Sequence, residues 1–387
     1  MMEPTVRFPE FKDSWNNYRI EDMFDRVGTP VDLDDTQTYR EIGIRSHGKG
    51  IFHKEETTAT EIGNKRVFWV EPDCFVVNIV FAWERAVAKT TEKENGMIAS
   101  HRFPMYKPKK DIVDLDYITE YFITKRGQNV LILASPGGAG RNKTLGQKEF
   151  AKSVVKLPSL PEQQKIAEFL STIDTVIEKQ KETVSAWEER KKGMMQKLFS
   201  QEVRFKADDG SEFPDWEKKK LEDVVEFLDG QRKPLEAGQR VSGKYPYYGA
   251  SGIIDYVENY IFDEELILLS EDGANILDRN YRVCFLAKGK YWVNNHAHVL
   301  RAMDENVNGF ICEQLESFDY RKYNSGGAQP KLNQATCRSI IMNIPCLAEQ
   351  QRIADCLSSL DEVIEKQKAT LAAWEELKKG LLQQMFV

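Results

Sequence analysis

The chain has 387 residues, 41% of them apolar and 11% aromatic, which is ample for folded cores in two or more domains. Its net charge of -7 argues against a chain that wraps DNA alone with a basic face, so basic residues must be gathered locally or phosphate contacts supplied by partners. No run of about 18 apolar residues occurs, so no membrane span is expected, and the opening MMEPTVRFPEFKDSW lacks the apolar stretch of a secretory signal.

In chain order, an aromatic-Pro pair (Phe8-Pro9) precedes Trp15-Asn-Asn-Tyr-Arg-Ile20-Glu21-Asp22. Short strand-like runs follow at Val67–Val70, Phe75–Phe81 and Val130–Leu133, bounded by Gly and Pro. Ser135-Pro-Gly137-Gly138-Ala139 then leads to Leu157-Pro158-Ser159-Leu160-Pro161, which opens a long helix; a proline in the first turn is tolerated because its missing N–H would be unpaired there anyway. An Asp- and Gly-rich stretch, residues 200–213, reads as a linker. The pattern then starts again. Phe213-Pro214 precedes Trp216-Glu-Lys-Lys-Lys-Leu221-Glu222-Asp223, strand-like runs occupy Glu265–Leu269, Tyr281–Leu286 and Tyr291–Val293, and Ser325-Gly326-Gly327-Ala328 leads to a second long helix. Residues 162–199 and 349–386 are identical at about 24 of 38 positions, without a gap. A repeat this widely spaced means two copies of one module, hence an approximate two-fold protein with shared ends and divergent interiors.

Apolar residues in the helices recur at spacings of four and three: Ile166, Leu170, Ile173, Ile177, Val184 and Trp187 in the first, and Ile353, Leu357, Leu360, Ile364, Leu371 and Trp374 in the second. Gln180 and Gln367 occupy polar seam positions, with Lys191 and Lys378 further along. This is a coiled-coil seam. Each helix should be roughly 57 Å long, whereas the domain between them should have a radius of gyration near about 15 Å. Such a domain can leave and re-enter at one end more readily than it can carry the chain back along a whole helix, so an antiparallel pair is expected.

No chemistry of its own is legible in the chain. Its six cysteines form no CxxC pair and read as reduced thiols; Asn294-Asn-His296-Ala-His298 lacks further metal ligands, so the histidines read as structural and no metal site is expected. Gly137-Gly-Ala-Gly-Arg-Asn142-Lys143-Thr144 nearly matches a phosphate-binding loop, but Asn142 stands where the second glycine belongs. No Asn/Asp-Pro-Pro-aromatic methyltransferase motif occurs.

Leu157-Pro158-x-x-Pro161-Glu162-Gln163-Gln164 and Ile344-Pro345-x-x-x-Glu349-Gln350-Gln351, each running into a long helix, resemble the specificity subunit of type I restriction–modification systems. So do Tyr245-Pro-x-Tyr-Gly249, Trp292-Val-Asn-Asn-His-Ala-His298 and Gly326-Gly-Ala-Gln-Pro-Lys-Leu-Asn333, and the resemblance covers essentially the whole chain. The first half departs from it, with Gly140-Arg-Asn-Lys-Thr-Leu145 in place of the Gln-Pro-x-Leu-Asn pattern. The resemblance implies an α+β chain: two pseudo-two-fold-related mixed α/β target-recognition domains, residues 1–157 and 201–344, separated by long antiparallel coiled-coil helices, residues 158–200 and 345–387. It implies a non-catalytic, cytoplasmic subunit that reads a split double-stranded DNA site. The partners would be two modification (methyltransferase) subunits and a restriction subunit, which would hold S-adenosylmethionine, ATP and Mg. A coiled-coil adaptor without a DNA role, and a self-contained DNA-modifying enzyme, are the alternatives.

Arg and Lys can position phosphates or pair with guanine, while Asn and Gln can pair with adenine. The candidate DNA-binding residues of the first domain are Arg102, Tyr106, Lys107, Lys109, Lys110, Arg141 and Lys143. Those of the second are Arg232, Lys233, Arg240, Lys244, Tyr247, Tyr248, Arg321, Lys322 and Lys331.

Overall fold

The computed structural model describes residues 4–137, 143–303 and 306–386. The chain divides into two compact units, residues 1–180 with 370–387, and residues 181–369. Each unit therefore holds one mixed domain, the first half of one long helix and the second half of the other.

In the first unit, Asn16–Arg19 pairs antiparallel with Val154–Leu157, closing the domain just before its helix. Between them lie two sheets. One has the order Phe24–Val27, Met105–Pro108, Phe75–Val77, Val87–Lys89; the other runs Thr29–Pro30, Val67–Trp69, Ile98–Ser100, Thr38–Ile44, Ile51–Thr58. The second unit repeats the plan. Glu217–Lys220 pairs with Ile341–Ile344 as the closing ribbon. One sheet has the order Val225–Phe227, Ala297–Ala302, Leu266–Ser270, Cys284–Ala287, and the other Gly252–Val257, Ser242–Gly249, Lys290–Val293, Phe262–Asp263. Both second sheets contain the same antiparallel hairpin joined in parallel to a third strand. The interiors thus share a topology that their sequences no longer show.

One expected strand is a helix. Val130–Leu133 forms the last turn of Lys125–Leu133, whose amino end is capped by the Thr124 hydroxyl accepting from the Gly127 N–H. A four-residue apolar run cannot by itself separate strand from helix. Here only one side is covered: Leu131 is fully buried while Leu133 is 83% exposed. The phosphate-loop reading required a strand at this point and loses its context.

The long helices are Leu160–Phe199 and Leu347–Met385. In the first unit, Ile166, Leu170, Ile173 and Ile177 are buried; in the second, Val184, Ile353, Leu357 and Ile364 are. Gln180, Trp187, Leu360, Gln367, Leu371 and Trp374 are half-buried. In the first unit the late residue Lys378 holds the early residue Asp174 at 2.8 Å, and in the second Lys191 holds Asp361 at 2.6 Å. Within each unit the two helix segments are therefore antiparallel.

The Glu-Gln-Gln motif anchors each helix to its own domain. Glu162 is buried and accepts from Arg7 at 2.7 and 2.8 Å; Glu349 is buried and accepts from Arg204 at 3.1 and 2.7 Å and from the Trp216 indole at 3.0 Å. The Gln163 amide accepts from the Asp114 N–H and donates to the Ile112 and Pro158 carbonyls, each at 3.0 Å. Gln350 does the same with the Val307 N–H and the Pro345 carbonyl, both at 3.0 Å. The segment read as a linker thus carries, in Arg204, a structural anchor.

Candidate nucleic-acid interface

In the second unit, three motifs far apart in sequence meet. Tyr247 and Tyr248 pair in parallel with Trp292 and Val293, and the Asn294 N–H donates to the Tyr248 carbonyl at 3.1 Å. Glu271 then bridges the other two: its N–H donates to the His296 carbonyl at 2.9 Å, and its carbonyl accepts from the Leu332 N–H at 2.8 Å. The loop before Leu332 closes on Asn324, whose side-chain oxygen accepts from Gly326 N–H at 3.0 Å and Lys331 N–H at 2.8 Å. At Gly326 a Cβ would lie 2.0 Å from the Gln329 carbonyl oxygen, so the turn requires glycine.

Beneath this loop lies a buried ionic network. His298 Nδ1 lies 2.7 Å from an Asp229 oxygen, and Nε2 lies 2.8 Å from the Leu332 carbonyl. Both partners are acceptors, so both ring nitrogens must carry protons. Burial works against that charge, but hydrogen bonding to Asp229, and contact with Cys337, carry the imidazole up to about 10. Asp229 also accepts from Gln334 at 2.8 Å and from the Val299 N–H at 2.9 Å. Arg232 donates to Glu271 and to the Ala297 carbonyl, both at 2.8 Å. Outside this framework, Lys331, exposed, sits 3.4 Å from Glu271, and His296 pairs with Asp272 at 2.9 Å. The result is a hydrogen-bonded platform whose ionic network faces inward and whose outer side chains, Lys331 and His296, face solvent.

The family profile described as type I restriction modification DNA specificity domain matches residues 12–185 and 214–373. The chain belongs to that family. A putative type I restriction enzyme specificity subunit of Haemophilus influenzae is 38% identical over 152 residues, 39% of this chain and 38% of its own length. The chain thus matches well under half of that relative. A putative specificity subunit of the type I enzyme MjaX of Methanocaldococcus jannaschii is 26% identical over 300 residues, 72% of this chain and 68% of the relative. The fold is like that of a type I restriction–modification S subunit from M. genitalium, with a TM-score of 0.61 at 15% identity, covering 100% of this chain and 99% of that one.

For a member of this family, the expected DNA-binding residues fall into three groups. Some belong to the core. Tyr106 lies inward among Phe24, Phe75 and Phe150, and burial pushes its hydroxyl to about 12. Tyr247 is fully buried and its hydroxyl accepts from the Leu235 N–H at 2.9 Å. In their strands both side chains face the sheet interior. Others are framework. Arg232 serves Glu271 and Asp229; Lys107 donates to the Pro72 carbonyl at 2.7 Å; Lys109 donates to the Glu21 carbonyl at 3.3 Å; Arg240 lies over the Tyr247 ring at 4.7 Å. Half-buried Tyr248 packs on Phe285 and Tyr291. Arg232 is spent on two carboxylates and three carbonyls.

The third group is at the surface. Arg102, Lys110, Lys233, Lys244, Arg321, Lys322 and Lys331 are exposed, and Lys143 is half-buried. Lys244 lies over the Tyr245 ring at 5.2 Å and Lys322 over Tyr323 at 4.9 Å; Arg321 pairs with Asp319 at 2.7 Å. Arg141 lies outside the described residues. Lys244, Tyr247 and Tyr248 lie on the first strand of the second unit's hairpin, whereas its other strand and the equivalent hairpin of the first unit hold none of the expected residues. In the first unit this hairpin carries Arg40, Arg45, His53 and Lys54; in the second it carries exposed Ile253, Ile254 and Tyr256. The available signal was the strand-like alternation around Gly48-Lys49-Gly50 and around Gly249-Ala-Ser-Gly252.

Proposed function

We propose that the chain is the non-catalytic DNA-specificity subunit of a type I restriction–modification complex. In this reading residues 1–157 and 201–344 are target-recognition domains, each reading half of an asymmetric, bipartite site. Residues 158–200 and 345–387 form the spacer helices, which also offer docking surfaces to two modification subunits. Those subunits supply S-adenosylmethionine chemistry, and a restriction subunit supplies ATP- and Mg-dependent cleavage; the assembly acts in the cytoplasm on double-stranded DNA.

One observation carries the reading: the same sheet order and the same helix anchor frame hairpins of opposite surface chemistry. A scaffold or stalk has no use for a repeated frame with unlike exposed residues, whereas two unlike half-sites demand it. The test is a chimera. Residues 216–340 are replaced by the second domain of another family member, and the methylated site is read by methylome sequencing of cells that also express the modification subunits. One half-site should change and the other stay. A change in both halves, or a single continuous site, would overturn the modular reading.

A further inference from the structure

The edge strand Gly252–Val257 of the second unit exposes apolar side chains, Ile254 and Tyr256 on one face and Ile253, beside Asp255, on the other. Successive strand residues point to opposite sides, yet Ile253 is 45% exposed and Ile254 52%, and Tyr256, on the face of Ile254, is 50% exposed. An uncovered apolar edge invites aggregation unless something is meant to cover it. The fold does not require it: the equivalent edge strand of the first unit, Ile51–Thr58, carries His53, Lys54, Glu55 and Glu56 at its centre, all exposed.

Three features identify the occupant. The strand is continuous with the platform described above, because Ile254 and Asn294 both flank Gly249, and Asn294 accepts from the His296 N–H at 2.8 Å. Ammonium groups flank the same sheet: Lys244 lies over Tyr245, Lys290 over Tyr260, and these two rings stack edge to face at 5.1 Å. Positive groups beside an apolar ribbon suit a surface whose rim is phosphate. Finally, the partner strand Ser242–Gly249 meets Lys290–Val293 only at Tyr247 and Tyr248, so most of the hairpin stands clear as a two-stranded ribbon, an element the major groove of B-DNA admits.

We infer that this ribbon enters the major groove of the second half-site and that Ile254, on the face it shares with Tyr256, reads a thymine 5-methyl group. The inference rests on the DNA-recognition reading above. It assigns the two domains different modes: methyl contact in the second, and hydrogen bonding from a charged ribbon in the first.

The test uses the full chain assembled with its modification subunits, and duplexes carrying the site found by methylome sequencing. Each thymine of the second half-site is replaced in turn by 2′-deoxyuridine, which removes only the methyl group, and affinity is read by fluorescence anisotropy. At least one replacement should weaken binding about fourfold, the worth of one buried methyl. Ile254→Ser should erase that difference while leaving the first half-site's requirements unchanged. The assignment is overturned by a second half-site without thymine, by indifference to every replacement, by an Ile254→Ser variant that still discriminates, or by one that instead loses a partner subunit or a self-associated copy by mass measurement. If the complex fails to distinguish its own site from a scrambled duplex, the DNA-recognition reading falls as well; if it does distinguish them but ignores the methyl groups, only the ribbon assignment falls.

Discussion

His298 shows how much of the interface depends on a residue that touches no ligand. It is 1% exposed, with Asp229 on one ring nitrogen and the Leu332 carbonyl on the other, so it ties the glycine-rich loop carrying Lys331 to the sheet. Its ring titrates near 10 in the folded chain against an ordinary value of 6.5. A raised value means that the stabilisation is fully present below about pH 6.5 and is lost as pH rises toward about 10. His298→Asn should therefore destabilise the second unit by about 1–3 kcal/mol near pH 6, the cost of leaving buried partners unmet. In urea unfolding, the gap between variant and parent should narrow steadily from pH 6.5 to 10. A constant gap would mean that packing, not charge, is what His298 contributes. The histidine pair was noticed in the sequence, and a structural role was preferred for it. Asp229 and Leu332 were not legible as partners, because nothing local in sequence links positions 69 and 34 residues away.

At the scale of the helices, the seam was legible because its spacing is a local property of the chain. What the spacing could not show is that the lysines at its polar positions also hold the domains. Lys378 lies 3.3 Å from Glu120, in the domain helix Leu115–Ile123, as well as 2.8 Å from Asp174. Lys191 lies 3.1 Å from Glu313, in the domain helix Asn308–Glu316, as well as 2.6 Å from Asp361. The carboxylates sit in interiors whose sequences have diverged, so only the fold reveals the correspondence. The two clusters differ in one respect. Arg282 also donates to Glu313, at 2.5 Å, and lies 3.6 Å from Asp361. For Glu120, burial raises the carboxyl above its ordinary range, and Lys378 is the cation opposing that shift. Removing one partner of a buried pair costs about 3–5 kcal/mol when the other charge is left alone. Lys378→Met should approach that range, and Lys191→Met should cost roughly half as much because Arg282 remains. Thermal unfolding of the two variants decides this; equal losses would show that Arg282 does not compensate.

For the whole molecule, the charge balance is the part of the sequence that misled least and explained least. A net charge of -7 pointed to partners for phosphate contact, and the fold sharpens the reason. Several cations chosen from the sequence are consumed internally: Arg232 by Glu271 and Asp229, Lys107 and Lys109 by carbonyls. Composition counts these charges but cannot say which are already spent. Lys233, Lys244, Lys290 and Lys331 are exposed around the second platform and ribbon, a small number against the roughly six to ten phosphate contacts that give strong salt dependence. The chain alone should accordingly bind duplex DNA weakly, and the complex with modification subunits far more tightly. In the complex, Lys233→Ala and Lys244→Ala should each reduce the slope of log affinity against log salt by about 1, and weaken specific and scrambled duplexes alike. Anisotropy titrations at several salt concentrations measure both quantities. If either variant instead keeps the slope and alters the preferred sequence, that lysine reads a base edge, and the division between charged rim and methyl-reading ribbon has to be redrawn around it.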